Sequence, residues 1–148
     1  MRGNDTVGSG PVNFHITDDA TDPAITRIGD ELATFNRADV GPSDRRTLAV
    51  LLRDGDTITA GLSGYTAWGW LYIQWLWIDE AHRGQGIACQ LLEAAEAEAI
   101  TRGCHGAYID TFNPVALRTY RKAGYAVFGA LENFPNGRTR FFLMKALP

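Results

Sequence analysis

The sequence predicts a mixed α/β fold in a single domain, and three observations lead to this prediction. The chain has 148 residues, which is the length of one domain. Segments with strand periodicity alternate with segments of helical periodicity. No linker, repeat or low-complexity segment interrupts that alternation. We therefore place a flexible N-terminal segment at residues 1–12 and one folded domain at residues 13–148.

The first half of the chain predicts a strand, a helix and two further strands. Residues 13–17 alternate weakly and predict the first strand. Asp22 and Pro23 are typical of a helix start, as N-cap and first helical residue. Apolar residues then recur at helical spacing up to about residue 38. Two short strands follow at 48–52 and 57–64, joined by a turn at 54–56.

The next strand, at residues 70–78, is apolar on both faces. Strict alternation assigns Trp70, Tyr72, Leu76 and Ile78 to one face, and Leu71, Ile73, Trp75 and Trp77 to the other. A strand of this kind is usually central and covered by helices on both sides. We therefore expect its tryptophans to pack in the core, with substrate lining as the alternative for one or two of them.

The second half predicts helix, strand, helix and two final strands. A helix from residue 83 has an apolar stripe and is ended by Gly103 in the manner of a left-handed cap; Glu96 is predicted to be among its more exposed residues. A short strand at 106–111 follows. Asn113 and Pro114 open another helix, which Gly124 ends. Residues 125–131 and 139–147 predict the last two strands.

Charge, cysteines and histidines exclude several classes of protein. The net charge is −3, which disfavours general binding to nucleic acid. Cys89 and Cys104 form no disulfide framework, and they combine with the scattered His15, His82 and His105 in no metal-binding pattern. We therefore expect no metal, and structural or incidental thiols.

The sequence also lacks the marks of export or membrane insertion. Residues 1–11 have no apolar core of a signal peptide. The longest apolar stretch, near residues 68–78, is too short to cross a bilayer. We expect a soluble cytoplasmic protein without a membrane partner.

The sharpest local feature lies where the central strand meets the long helix, in the segment Arg83-Gly84-Gln85-Gly86-Ile87-Ala88. The first turn of a helix has unpaired N–H groups and a partial positive charge, which together bind phosphate. Glycine lets the ligand approach without a Cβ in the way. The segment fits neither a P-loop nor a dinucleotide fingerprint. It predicts a phosphate-binding loop, with a tight turn lacking a ligand as the alternative.

This segment resembles the acetyl-CoA motif of the GNAT superfamily of N-acetyltransferases, Arg/Gln-x-x-Gly-x-Gly/Ala. A second block is similar to another GNAT segment, through Asn113, Ala116, Tyr120, Lys122, Gly124 and Tyr125. The two blocks are separated by a helix and a strand, as in the family. The resemblance covers nearly the whole chain.

The resemblance implies a mostly antiparallel mixed sheet of about six or seven strands flanked by helices, with a central parallel pair that splays apart. Acetyl-CoA would be the co-substrate, with its pyrophosphate on the segment Arg83 to Ala88. Its pantetheine arm would run between residues 75–79 and 107–111. The implied coenzyme-binding residues are Leu76, Trp77, Ile78, Arg83, Gly84, Gln85, Gly86, Ile87, Ala88, Asn113, Ala116 and Tyr120.

The resemblance also places Tyr120 beside the coenzyme sulfur. The thiolate that leaves when an amine attacks a thioester needs a proton, and a phenol with a pKa of about 10 can supply it. Periodicity alone would make Tyr120 a buried helix tyrosine. Relatives often carry a Glu base on one of the splayed strands. Here one strand has Gln74, and Asp110 on the other is the candidate base, with a capping Asp or a water base as alternatives.

Three kinds of function follow, and the sequence leaves them open. The first is acetylation of a small primary amine, held in a closed pocket lined by aromatics such as Trp68, Trp75 and Phe134. The second is acetylation of protein N-termini or lysines in an open groove. The third is an acyl-CoA-binding module without turnover. The resemblance implies that the acceptor approaches over residues 35–46 and 131–140, and that a homodimer forms through the last strands, where Phe141 and Phe142 would lie.

Overall fold

The computed structural model describes residues 12–148. The chain divides into two compact units, residues 1–41 and 42–148. The segment predicted to be flexible, residues 1–12, lies outside the described residues except for Val12.

The described part of the first unit contains one helix, α1 (Pro23–Val40). The carboxylate of Asp22 accepts a hydrogen bond from the N–H of Ala24 at 2.9 Å, and Gly41 ends the helix with a φ of 91°. The predicted helix start and end are therefore confirmed. The predicted strand at 13–17 is wrong, since residues 12–18 have no regular structure. A weak alternation of five residues does not make a strand without a neighbour that pairs with its backbone.

The second unit contains six strands and two α-helices. In chain order they are β1 (Arg46–Asp54), β2 (Thr57–Ala67), β3 (Trp70–Ile78), α2 (Ile87–Thr101), β4 (Gly106–Thr111), α3 (Pro114–Lys122), β5 (Ala126–Glu132) and β6 (Thr139–Ala146), with a short 3₁₀ helix at Glu80–His82 between β3 and α2. Each of these strands and helices was predicted from the sequence, with ends that differ by a few residues.

The six strands form one sheet in the order β1-β2-β3-β4-β6-β5. Only β3 and β4 run parallel, and the other neighbours are antiparallel. The expected mixed, mostly antiparallel sheet is confirmed, and β3 lies at its centre. The edge strand beyond β4 is β5 and not β6, so Phe141 and Phe142 lie on an inner strand. The idea that they form an exposed edge is wrong.

The core lies between one face of this sheet and α2. That helix contacts β1, β2 and β3, while α3 contacts β4 and α2. The largest fully buried side chains are Leu62, Leu71, Ile73, Leu92 and Leu143. Burial of this apolar surface provides the main driving force for folding of the second unit.

A β-bulge changes which side chains of β3 face the core. Tyr72 pairs with Tyr65 of β2 and Trp75 pairs with Ser63, so four residues of β3, 72–75, oppose three of β2, 63–65. Because paired residues share a face, Trp75 lies on the same face as Tyr72. The extra residue is Gln74.

The predicted assignment of faces is therefore wrong beyond Gln74. Leu76 and Ile78 turn to the core face with Leu71 and Ile73, and Trp75 and Trp77 join the opposite face. Trp75 is 67% exposed and Trp77 is 52% exposed, so the expected core packing of these two tryptophans is also wrong. Strict alternation cannot foresee a residue that is inserted into one strand only.

Glu96 of α2 is only 7% exposed, against the expectation that it faces solvent. Its carboxylate accepts hydrogen bonds from the hydroxyl of Tyr125 at 2.7 Å and from the ammonium of Lys145 at 2.8 Å. Lys145 also donates to the carbonyl of Ala123 at the end of α3. A buried carboxylate requires such partners, and here they tie α2, α3 and β6 together.

Among residues 12–148, no helix combines the length and the apolar character needed to cross a bilayer.

Candidate active site

The central feature is a gap between the two parallel strands. β3 and β4 pair from Trp70 with Gly106 to Ile73 with Ile109, and the pairing then stops. β3 continues to Ile78 while paired with β2 alone. The main chain of Leu76, Trp77 and Ile78 therefore borders an opening between the strands.

The loop after β3 is braced by its own polar groups. Asp79 caps the 3₁₀ helix by accepting hydrogen bonds from the N–H and the imidazole Nδ1 of His82. The Nε of Arg83 donates to the carbonyl of Ile78 at 3.0 Å, and the side-chain amide of Gln85 donates to the carbonyl of Ala81 at 3.2 Å. These side chains fix the loop conformation, and the N–H groups of residues 84–86 bond to no other described residue.

Two glycines give the loop its shape. Gly84 and Gly86 have φ angles of 78° and 77°, in the left-handed region that disfavours other residues. A Cβ built on either glycine would meet no atom within 4 Å, so open space lies beside both. Gly86 is the N-cap of α2, and no side chain caps this terminus. The N–H groups of Ile87 and Ala88 in the first turn are therefore suited to bind an anion.

Asn113 occupies the start of α3. Its side-chain oxygen accepts hydrogen bonds from the N–H groups of Val115 and Ala116, at 2.8 and 3.1 Å. This confirms the N-cap predicted from the sequence. The side-chain NH2 group bonds to no other described residue and remains available to a ligand. Ala116 is half-buried on the same helix.

Tyr120 is buried in the last turn of α3, with 5% of its surface exposed. Burial raises the pKa of its phenol to about 12, and the nearby charge of Asp110 adds to the rise. No residue in the range 12–148 makes a hydrogen bond to the hydroxyl. Buried hydroxyls nearly always have a partner, so this one is a candidate for binding a ligand.

Asp110 lies on β4 just beyond the last residue paired with β3. One carboxylate oxygen accepts two hydrogen bonds from the guanidinium of Arg140, at 2.6 and 3.0 Å. The other accepts from the hydroxyl of Tyr72 at 2.9 Å. Burial and this hydrogen bond raise the pKa of Tyr72. Both oxygens of Asp110 are therefore occupied by groups of the protein.

Sequence reasoning did not identify Tyr72 and Arg140 as partners of Asp110. They lie 38 and 30 residues from it along the chain. The pairing depends on the register of β4 with β6 and with β3. No local spacing signals either of these features.

The structure separates some residues that the sequence grouped. Trp68 lies in the turn between β2 and β3, at the far end of β3 from Trp75, and lines a separate cleft with Arg102 and Cys104. The predicted closed pocket that combines Trp68 with Trp75 is therefore wrong. Phe134, by contrast, lies under the guanidinium of Arg140, with 4.6 Å between its ring centre and the Arg140 Cζ.

The thiols and histidines form no second site. Cys89 is half-buried and Cys104 is buried, and both are free. Burial raises the pKa of the Cys104 thiol, which makes it less reactive. The described residues contain no group of three or more His, Cys, Asp or Glu side chains placed to hold a metal ion.

A family model described as the acetyltransferase (GNAT) family matches residues 15–125 of this chain. The chain belongs to the GNAT family. This confirms the resemblance drawn from the glycine loop and the Asn113–Tyr125 block. The gap between β3 and β4 and the glycine loop are therefore to be interpreted in terms of acetyl transfer.

Individual GNAT relatives agree with this assignment. The chain is 48% identical over 135 residues to the acetyltransferase Atu2258 of Agrobacterium fabrum, with 90% of this chain and 98% of that protein covered. It is 34% identical over 91 residues to a blasticidin-S acetyltransferase of Streptomyces morookaense, with 61% and 67% covered. A solved structure of an Agrobacterium tumefaciens protein described as an acetyltransferase superposes with a TM-score of 0.87 at 47% identity, covering 92% of this chain and all of that one.

Proposed function

We propose that this protein transfers the acetyl group of acetyl-CoA directly to a primary amine of a small molecule, with both substrates bound at once. The observation that carries the proposal is the buried Tyr120 hydroxyl. It has no hydrogen-bond partner among the described residues, and its pKa is raised in part by the charge of Asp110, which lies just beyond the last pair of β3 with β4. A proton donor near that point suits the breaking of a thioester.

The coenzyme would bind along the features already described. The N–H groups of residues 84–88 would hold the pyrophosphate, which explains how a chain of net charge −3 binds a polyanion through a local device. The pantetheine arm would lie in the gap and pair with the main chain of Leu76, Trp77 and Ile78. Arg83 and Gln85 would act by keeping the loop in shape, and Asn113 would donate from the start of α3 beside Ala116.

In the reaction, the amine nitrogen attacks the carbonyl carbon of the thioester and the carbon–sulfur bond breaks. The products are an acetamide and free coenzyme A. Negative charge builds up on the sulfur as this bond breaks, and Tyr120 donates a hydrogen bond and then its proton to it. The tyrosinate regains a proton from water, which closes the cycle. Because the pKa of Tyr120 is about 12, the phenol is protonated at any pH at which the enzyme would work.

The proton of the attacking amine needs another destination, and we assign it to water. Asp110 was the candidate base from the sequence, but both of its oxygens are bound by Arg140 and Tyr72. We propose instead that Asp110 is a positioning residue. Its ion pair orders Arg140 and Tyr72 beside the gap.

A small-molecule acceptor is supported by the relative described as a blasticidin-S acetyltransferase, which is 34% identical to this chain. Acetylation of protein or peptide amines is the alternative. The two functions differ in which acceptor becomes acetylated, a small amine or a peptide.

The test is acetyl transfer from acetyl-CoA to a panel of polyamines, aminoglycosides, arylalkylamines, amino acids and short peptides, read by mass spectrometry. A thiol dye would be a poor readout because Cys89 is partly accessible. We expect an acetylated small amine. Acetylation of peptides alone would replace the proposal by its alternative. Absence of any product in a sample that binds acetyl-CoA would contradict it in favour of a binding module.

A further inference from the structure

The face of the sheet opposite α2 carries aromatic rings next to the gap. Tyr65, Tyr72 and Tyr108 form a cluster in which the rings of Tyr72 and Tyr108 stack, with centroids 4.7 Å apart and planes 18° apart. The bulge at Gln74 brings Trp75 to this same face. If β3 alternated strictly through Gln74 without this bulge, the indole would point to the core.

Trp75 lies close to the place where the acceptor must react. It is two residues beyond Ile73, the last residue of β3 that pairs with β4. At a rise of about 3.3 Å per residue, this is about 7 Å along the strand. The indole therefore borders the gap on the side away from α2.

Planar cations from the protein itself already bind to this face. The guanidinium carbon of Arg45 lies 3.7 Å from the ring centre of Tyr65. That of Arg140 lies 4.6 Å from the ring centre of Phe134 and 5.3 Å from that of Phe142. The indole of Trp75 has no such partner among the described residues, and it is 67% exposed. A large aromatic surface next to a reaction site, left without a stacking partner, is available to a ligand.

The charges beside the gap favour an acceptor that binds by stacking over one that binds by ion pairing. The carboxylate at the gap, Asp110, is neutralised by Arg140. An acceptor that relies on several positive charges, such as a polyamine, finds no unpaired carboxylate at this position. A flat ring beside the amine can instead stack on an indole.

We propose that the acceptor carries a planar aromatic or heteroaromatic ring a few bonds from its amine, and that Trp75 is the specificity-determining residue that stacks on this ring. The inference rests on the proposed function and names the substrate class of that same site.

The experiment compares two amines of equal charge and chain length, 2-phenylethylamine and 2-cyclohexylethylamine, as acceptors for the full-length protein. We expect kcat/KM to be about fivefold higher for 2-phenylethylamine, because only its ring stacks. In Trp75→Ala, kcat/KM for 2-phenylethylamine should fall about fivefold through KM, which abolishes the preference. The cyclohexyl amine should change little, and the KM for acetyl-CoA should be unchanged. Trp75→Phe should retain most of the preference.

Trp68→Ala is the matched control, since it removes a half-exposed tryptophan at the far end of β3. It should leave the ratio of the two kcat/KM values as in the wild type. Equal kcat/KM for the two amines in the wild type would overturn the inference while leaving the proposed function intact. A preference that survives Trp75→Ala would overturn the role of Trp75. Failure to acetylate any amine would contradict the proposed function, and the inference would fall with it.

Discussion

Tyr120 brings together burial, a free hydroxyl and a raised pKa in one side chain. We expect Tyr120→Phe to lower kcat by about 10²- to 10⁴-fold, the range of general acid catalysis. The affinity for acetyl-CoA should stay within about twofold, since the ring itself remains and no hydrogen bond to residues 12–148 is lost. Steady-state kinetics and calorimetric titration measure the two quantities. An unchanged kcat would remove Tyr120 from the mechanism.

The pKa of Tyr120 also predicts how stability depends on pH. The phenol ionises near pH 10 in the unfolded chain and near 12 in the folded protein. The folded state therefore loses stability as pH rises through this window, because the unfolded state releases its proton first. Relative to the wild type, Tyr120→Phe should gain about 1.4 kcal/mol between about pH 8 and pH 11. Urea unfolding at both pH values measures this gain, and a constant difference would contradict it.

Asp110 has two competing roles that a pH profile separates. A general base would give kcat/KM an acidic limb that disappears when the carboxylate is replaced. We expect Asp110→Asn to retain that limb and to raise the KM for the acceptor, because Arg140 and Tyr72 lose an ordering partner. The measurement is kcat/KM against pH for both proteins. Loss of the acidic limb would restore Asp110 as the base.

The sequence predicted the residues whose role is set locally. Asn113 caps α3 as predicted, because a cap is determined by a few neighbours in the chain. The left-handed backbone of Gly84 and Gly86 was not predicted, although the sequence placed both in the loop before α2. The partners of Asp110 were missed, since Tyr72 and Arg140 reach it from two other strands. Local patterns do not contain that information.

At the scale of an element, the loop before α2 combines a fixed backbone with open space. We expect Gly86→Val to weaken acetyl-CoA binding by at least about tenfold, because the left-handed φ is strained for a β-branched residue and its side chain fills the ligand's space. Calorimetric titration measures the affinity.

Gly137→Val provides the matched control. Gly137 has a φ of 81° and likewise no atom within 4 Å of a built Cβ, but it lies in the connection between β5 and β6. It should show a similar loss of stability and an unchanged affinity for acetyl-CoA. Equal loss of affinity in both variants would indicate general strain and contradict the assignment of the loop.

Periodicity predicted the elements of the second unit but not their irregularities. Apolar spacing located α2 and α3, and caps located their ends. The bulge at Gln74 and the burial of Glu96 were not predicted. The bulge adds a residue to one strand only, and the burial of Glu96 depends on Lys145 of β6 and on Tyr125, directly before β5. These two features decide which tryptophans face the gap and how α2 is held to α3.

At the scale of the whole molecule, the class of fold was predictable because strands and helices alternate along the chain. The position of β6 between β4 and β5 was not, since the last two strands could follow either order. That order places β5 at the edge of the sheet, so Phe141 and Phe142 of β6 do not lie at an edge. The homodimer expected from the resemblance remains a prediction. The same strand order also brings Arg140 of β6 next to Asp110 of β4.

We propose that one coenzyme molecule occupies both the glycine loop and the gap between β3 and β4. A crystal structure of the complex with coenzyme A is the decisive measurement. We expect the pyrophosphate on the N–H groups of residues 84–88, the pantetheine beside Leu76 and Ile78, and the sulfur within hydrogen-bond reach of the Tyr120 hydroxyl. Coenzyme A bound elsewhere, or a sulfur out of reach of Tyr120, would contradict the account.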